Sequence, residues 1–132
     1  MLTGLNHLTL AVSDLGRSWE YYTEYLGFVP KAKWNTGAYL LLGELWLCLS
    51  LETVDKRNDY THYALTVSPD AFAPLAEQLR SKQVAEWKIN TSEGESLYFR
   101  DPDGHKLEIH CGNLESRLDY CRRHPYAGME FY

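Results

Sequence analysis

The residues best suited to chemistry in this 132-residue chain are two histidines that return in one local setting. His7-Leu-Thr-Leu-Ala-Val-Ser13 recurs as His62-Tyr-Ala-Leu-Thr-Val-Ser68, matching at His, Leu, Val and Ser. A lone strand histidine is most often a satisfied polar residue. Repetition makes His7 and His62 candidate metal ligands, because two copies of a strand related by a pseudo-two-fold bring their first residues together. The third candidate is Glu108 in Lys106-Leu-Glu-Ile-His110, where alternation sets Leu107 and Ile109 on one face and Glu108 and His110 on the other. An ionised carboxylate facing a sheet interior needs a cation or hydrogen bonds; the alternative is a solvent-facing residue on an amphipathic strand. Two imidazoles and one carboxylate leave open positions on an octahedral ion, which suits Mn²⁺ or Fe²⁺ and tolerates Zn²⁺. Open positions imply a coordinated substrate. His105 and His124 fall in a turn and a tail and read as solvated.

Each repeat copy is a short apolar run, hence a strand, and a helix-start signal follows it. Asp14 can cap a helix carrying Leu15, Trp19, Tyr22 and Leu26 on one face, with Gly27 as its stop. In the second copy the helix begins at Ser68-Pro69 or Asp70 and aligns Phe72, Leu75 and Leu79, with Pro74 needing an early-turn position. Hairpin-like stretches come next, around Gly43-Glu44 and around Asp101-Pro-Asp-Gly104. Both halves therefore read β-α-β-β-β, an α+β class: a module over residues 1–52, a second over 58–112, and a C-terminal helix and tail over 113–132, all in one domain. A four-stranded sheet with one helix leaves a face uncovered, so two modules should join around a shared concavity, within one chain or between chains.

Composition supports a single globular domain. With 45% apolar and 23% charged residues, the chain can bury a core without disulfides and fits neither disorder nor a coiled coil. A net charge of -5 gives no general attraction to nucleic acid or anionic lipid, so any anionic ligand needs a local cationic site. Cys48, Cys111 and Cys121 are odd in number and lack metal spacing, which suits unpaired thiols in a reducing compartment. The opening MLTGLNHLTLAV lacks a basic n-region, and no 18-residue apolar run occurs, so a cytoplasmic protein without membrane contact is expected.

Taken together, HLTLAVSDL, GAYLLLGELWLCLS, DYTHYA, the Ser92-Glu-Gly-Glu-Ser96 loop, YFRDPDGHKLE and RHPYAGMEF resemble the fosfomycin-resistance thiol transferases of the FosA type, over nearly the entire chain. The broader superfamily, with the vicinal oxygen chelate or glyoxalase/bleomycin-resistance fold, shares the paired βαβββ modules. It hosts isomerases, dioxygenases and binding proteins as well, so fold likeness alone does not choose among them. By the resemblance, His7, His62 and Glu108 match Mn²⁺ ligands. The resemblance also implies that the modules exchange between two chains of a homodimer, so that His7 would come from one subunit and His62 and Glu108 from the other.

The segment Lys88-Ile-Asn-Thr-Ser-Glu-Gly-Glu-Ser-Leu-Tyr98 would ordinarily be a solvated loop. The resemblance makes Asn90, Ser92, Gly94 and Ser96 a K⁺ site. It also makes Thr9, Lys88, Ser92, Ser96, Tyr98 and Arg117 the phosphonate contacts. On pattern alone Arg117 is an exposed helix residue, not distinguished from Arg122 or Arg123. Thr91 stands where the family often has Arg or Lys, a departure that puts the glutathione contacts in doubt.

The implied reaction is addition of glutathione to the epoxide carbon of fosfomycin, with the metal as Lewis acid and the thiolate as nucleophile. Thr9 and Tyr39 take catalytic roles, Tyr39 assisting the thiol. Trp46 walls the substrate pocket, and Trp34, Ser50, Tyr60 and Tyr126 are candidates for the glutathione channel. Pattern alone reads Tyr39 equally well as a cross-strand aromatic. The competing readings are another metal-dependent isomerase or dioxygenase of this fold, and an antibiotic-sequestering binder, which would need no metal triad.

Overall fold

In β1 (His7–Val12) the side chains of Leu10 and Val12 are almost fully buried while His7 and Thr9 are exposed, as strand alternation requires. A computed structural model describes residues 1–132. It divides into two compact units, residues 1–60 with 101–105, and residues 61–100 with 106–132.

The first unit contains β1, helix α1 (Leu15–Glu20), β2 (Val29–Trp34), β3 (Gly37–Leu42) and β4 (Leu45–Leu51). Its sheet runs β1-β4-β3-β2, with β1 parallel to β4 and the other neighbours antiparallel. Leu10, Val12, Ala38, Leu40, Leu47 and Leu49 bury on one sheet face, each large aliphatic contributing about 1.5–3 kcal/mol relative to exposure. Asp14 caps α1 as expected, its side chain accepting from Arg17 N at 3.0 Å.

The expected helix face does not hold to the end. After Glu20 the helix widens into a π-helical turn, Tyr21–Tyr25, in which Leu26 N donates to Tyr21 O. Leu15 and Ser18 of α1 and Tyr21 and Tyr22 of the wider turn are buried, whereas Trp19 is only half-buried.

The second unit repeats the plan with β5 (Tyr63–Thr66), α2 (Pro69–Ser81), β6 (Glu86–Lys88), β7 (Ser96–Arg100) and β8 (Lys106–His110), in the order β5-β8-β7-β6. Helix α3 (Leu114–Arg123) follows, closed at its start by a capping box between Asn113 and Ser116. Pro69 occupies the first turn of α2, but Pro74 lies inside the helix, a correction to its expected early position. Buried Ala76 and Leu79 anchor α2, with Phe72 and Leu75 half-buried. The two β-α-β-β-β halves match the α+β class expected from the repeat.

The Asp101–His105 turn, which joins β7 to β8, packs as part of the first unit. Asp101 Oδ1 accepts from the backbone of Asp103 and His105, both at 2.9 Å, while Oδ2 accepts from Tyr22 Oη at 2.7 Å. Asp103 accepts from the Ser13 amide and hydroxyl, and Arg17 Nη2 donates to Pro102 O at 3.2 Å. His105 Nε2 donates to Ala11 O at 2.7 Å, so it is a half-buried structural residue rather than a solvated one. Burial raises the Asp101 carboxyl above its usual range, against the lowering effect of His105 and of its own hydrogen bonds. The Tyr22 hydroxyl, buried beside Asp101, is held neutral well beyond its ordinary value. No helix of the chain is long and apolar enough to cross a membrane.

Candidate functional site

The register of the first sheet gathers the residues nominated there onto the face opposite its core. His7 pairs with Trp46, Thr9 with Cys48, Tyr39 with Cys48, Gly37 with Ser50, and Trp34 with Gly37. Directly paired residues share a face, so His7, Thr9, Trp34, Tyr39, Trp46 and Ser50 all lie on one surface. The rings form a ladder: His7 lies 4.6 Å from Trp46, Trp46 5.3 Å from Tyr39, and Tyr39 4.7 Å from Trp34. A side chain at Gly37 would collide with the Trp34 indole, so glycine lets that ring lie against its strand. Trp34, Tyr39 and Trp46 remain 44, 39 and 37% exposed, an aromatic face suited to a ligand or a partner chain.

In the second sheet, Glu108 pairs with Ala64 on one side and Tyr98 on the other, while His110 pairs with Ser96, and Lys88 with Tyr98. Glu108 is only 6% exposed, which removes its solvent-facing alternative. His62, one residue before β5, presents Nε2 to Glu108 Oε2 at 3.1 Å. Ser96 Oγ donates to Glu108 Oε1 at 2.6 Å and lies 2.6 Å from His110 Nδ1. A hydroxyl has one proton, so with Ser96 donating to Glu108 the His110 ring must donate to Ser96. Lys88 Nζ sits 4.9 Å from the Tyr98 ring, and Trp87 packs edge-on against both His62 and Tyr98.

The repeat is thus asymmetric in its chemistry. Aligning His7 with His62 places Thr9 on Ala64, and their strand partners place Cys48 where the second sheet has Glu108. Only the second sheet supplies a carboxylate beside its histidine.

Within the chain no three His, Cys, Asp or Glu side chains are arranged to hold an ion. His62 and Glu108 nevertheless face one another, an imidazole and a buried carboxylate whose chemistry fits a divalent cation completed by a further ligand.

The 90–96 loop is ordered by its own polar groups. Asn90 Nδ2 donates to Gly94 O at 2.7 Å, and Asn90 Oδ1 accepts from the Ser92 amide and hydroxyl at 3.0 and 2.9 Å. Gly94 has φ +80°, and a Cβ there would meet the Cys111 carbonyl and the His110 ring. The loop is therefore rich in oxygens, the donor type that hard cations prefer, with Thr91 exposed beside it.

Arg117, indistinct in the sequence, is singled out here. Its Nε donates to Glu93 Oε2 at 3.2 Å and its Nη2 to Glu93 O at 3.1 Å. Burial acts to lower its pKa, but hydrogen bonds and charge from Glu93 and Tyr126 outweigh burial and raise it. Tyr126 is thereby placed beside Arg117, and Tyr60 is exposed in the segment after β4. Arg122 instead lies 5.0 Å over the Phe131 ring. His110, Trp87 and Glu93 were missed as site residues. His110 carried a signal, since it stands two residues beyond Glu108 on the same strand face.

A family model described as the Glyoxalase/Bleomycin resistance protein/Dioxygenase superfamily matches residues 4–109. The chain is 54% identical over 136 residues to glutathione transferase FosA of Serratia marcescens, covering 99% of this chain and 96% of that one. It is 38% identical over 135 residues to metallothiol transferase FosB of Lysinibacillus sphaericus, covering 97% and 95%. Among solved structures, a variant of the fosfomycin resistance protein FosX from Listeria monocytogenes, complexed with Mn(II) and 1S,2S-dihydroxypropylphosphonic acid, superposes with a TM-score of 0.79. Its identity is 26%, and the match covers 90% of this chain and 99% of that one. With the superfamily model matched over residues 4–109 and 54% identity across 96% of one such transferase, the chain belongs to the glyoxalase/bleomycin resistance protein/dioxygenase superfamily, among its FosA-like members.

Proposed function

We propose that this protein inactivates fosfomycin by adding the thiol of glutathione to an epoxide carbon. A C–S bond forms, the C–O bond breaks, and the thiol proton ends on the released oxygen. The observation that carries this reading is the buried Glu108 carboxylate facing His62 at 3.1 Å, beside Lys88 and Tyr98, in a chain 54% identical to a glutathione transferase FosA.

His62 and Glu108 would hold the divalent ion, Mn²⁺, together with His7 of the second subunit of a homodimer. The bound ion supplies Lewis-acid polarisation of the epoxide oxygen. Ser96 keeps Glu108 oriented by donating to Oε1, which leaves Oε2 turned towards His62. Lys88 and Arg117 supply the positive charge that an acidic chain otherwise lacks for a phosphonate, and the Thr9, Ser92 and Tyr98 hydroxyls direct its oxygens. Tyr39 assists the thiol, Trp46 forms an apolar wall, and Trp34, Ser50, Tyr60 and Tyr126 line the glutathione approach. K⁺ is held by Asn90, Ser92, Gly94 and Ser96, where the loop's oxygens are already gathered. The thiol chemistry belongs in the reducing cytoplasm, in keeping with three free cysteines.

The test is mass spectrometry of fosfomycin and glutathione incubated with the protein and Mn²⁺, with and without K⁺. A glutathione adduct of the opened antibiotic is expected. Unchanged fosfomycin under every metal condition defeats the proposal.

A further inference from the structure

Glu93 lies between Ser92 and Gly94, inside the oxygen-rich loop, yet its carboxylate turns away from that loop towards α3. It takes the Nε–Nη2 edge of Arg117 twice, through Oε2 at 3.2 Å and through its own main-chain oxygen at 3.1 Å. Tyr126 lies close enough to the same guanidinium to help raise its pKa. The Arg117 and Glu93 side chains are 31 and 21% exposed, so the pair is a half-buried contact within reach of a ligand.

An ion pair this accessible contributes little to stability, so its consequence is geometric. Guanidinium is a rigid planar fork of five N–H donors. With one edge fixed by two acceptors of a single residue, the directions of the remaining donors, including those on Nη1, are fixed as well. The loop and the helix are thereby joined at the one arginine of α3 that faces the 90–96 loop.

We propose that Glu93 is a positioning residue for Arg117, holding the guanidinium so that its remaining Nη donors meet the oxygens of the bound phosphonate. The proposal rests on the fosfomycin reading above. Two effects of opposite sign compete at such a carboxylate. Its charge repels the anion, whereas its grip orders the flexible cation that binds the anion. The double contact through side chain and backbone favours ordering, because the guanidinium stands between carboxylate and anion and needs no new conformation when ligand arrives.

The experiment is calorimetric titration of fosfomycin into the Mn²⁺-loaded full chain as wild type, Glu93→Ala, Glu93→Gln, Arg117→Ala and the Glu93→Ala/Arg117→Ala double variant. Mn²⁺ affinity is followed separately by electron paramagnetic resonance. Glu93→Ala is expected to weaken fosfomycin binding about tenfold with Mn²⁺ affinity unchanged. Glu93→Gln should retain most of the affinity, since its amide oxygen still accepts from Nε. In the Arg117→Ala background, Glu93→Ala should add nothing. Equal or tighter binding by Glu93→Ala, an equal loss in the glutamine variant, or an undiminished loss without Arg117 overturns the assignment while leaving the proposed function standing. A wild-type protein that binds Mn²⁺ but gives no fosfomycin heat overturns both.

Discussion

Glu108 carries a severe electrostatic demand: a carboxylate 6% exposed on a sheet face must find donors or a cation. Two hydrogen-bonding partners lie within reach, Ser96 at 2.6 Å and His62 at 3.1 Å. Removing a ligand and removing a supporter should therefore differ in degree. Glu108→Ala and His62→Ala are expected to abolish Mn²⁺ binding and nearly all turnover in a folded protein. Ser96→Ala should cost about 10–100-fold in Mn²⁺ affinity, the range typical when a partner of a metal ligand is lost. Free Mn²⁺ measured by electron paramagnetic resonance at increasing protein concentration separates these cases. Normal metal content and full activity in Glu108→Ala would sink the ligand assignment. The order of severity was not evident from residue types alone, because Ser96 stands 12 positions from Glu108 and only strand pairing brings its hydroxyl to Oε1.

At the scale of elements, two short segments carry testable consequences. In the 90–96 loop, Ser92 gives both its amide and hydroxyl protons to Asn90 Oδ1, so Ser92→Ala should loosen the proposed K⁺ site without touching Glu108. Loss of an electrostatic donor from a water-poor site commonly costs on the order of 10² to 10³ in rate, and an ion one step removed from the leaving oxygen should cost less. The rate of Ser92→Ala should respond little to exchange of K⁺ for Na⁺, and a full wild-type K⁺ response would return the loop to an ordinary surface role. In the 101–105 turn, the raised Asp101 carboxyl sets a pH signature. Folded Asp101 keeps its proton at pH values where the unfolded chain has lost it. That contribution is present below the ordinary carboxyl pKa and is lost as pH rises through the folded value. Against Asp101→Asn, whose amide keeps an acceptor for the turn, the wild type should lose relative stability on going from about pH 4 upward and then level off. Denaturant titrations of both proteins across this range test it, and a relative stability that grows with pH contradicts it.

For the whole molecule, the decisive question is whether a second subunit supplies His7. One chain arranges no set of three acidic, thiol or imidazole side chains for an ion, and the aromatic face that bears His7 is open to solvent. If the proposed homodimer shares its sites, inactive His7→Ala and inactive Glu108→Ala chains refolded together should regain activity, because one of the two sites in a heterodimer keeps both wild-type contributions. That activity should approach a quarter of the wild-type level in a statistical equimolar mixture, where about half of the molecules are heterodimers with one intact site each. Sites contained within a single chain give none. Sizing alongside the assay links activity to the dimer, and a fully active monomer contradicts sharing.

Much of this was readable in the sequence because strands and helices announce themselves by local periodicity. The two-fold repeat of a His-led strand, the helix after it and the hairpins at Gly43 and Gly104 follow from residue type and spacing over a few positions. The aromatic and polar residues of the first sheet also follow a period of two, which is why they arrive on one face. What needed tertiary structure were relations between distant segments. The helix after β1 turns Ser18 and Tyr21 inward and leaves Trp19 half-buried, then widens into a π-helical turn at Tyr21–Tyr25 that no local propensity specifies. His105 leaves solvent for the Ala11 carbonyl, 94 residues away, and Arg117 parts from Arg122 only because Glu93 meets it across 24 residues of chain. Hydrogen bonds depend on position and direction in space, and those are properties of the folded chain that a pattern of neighbours does not contain.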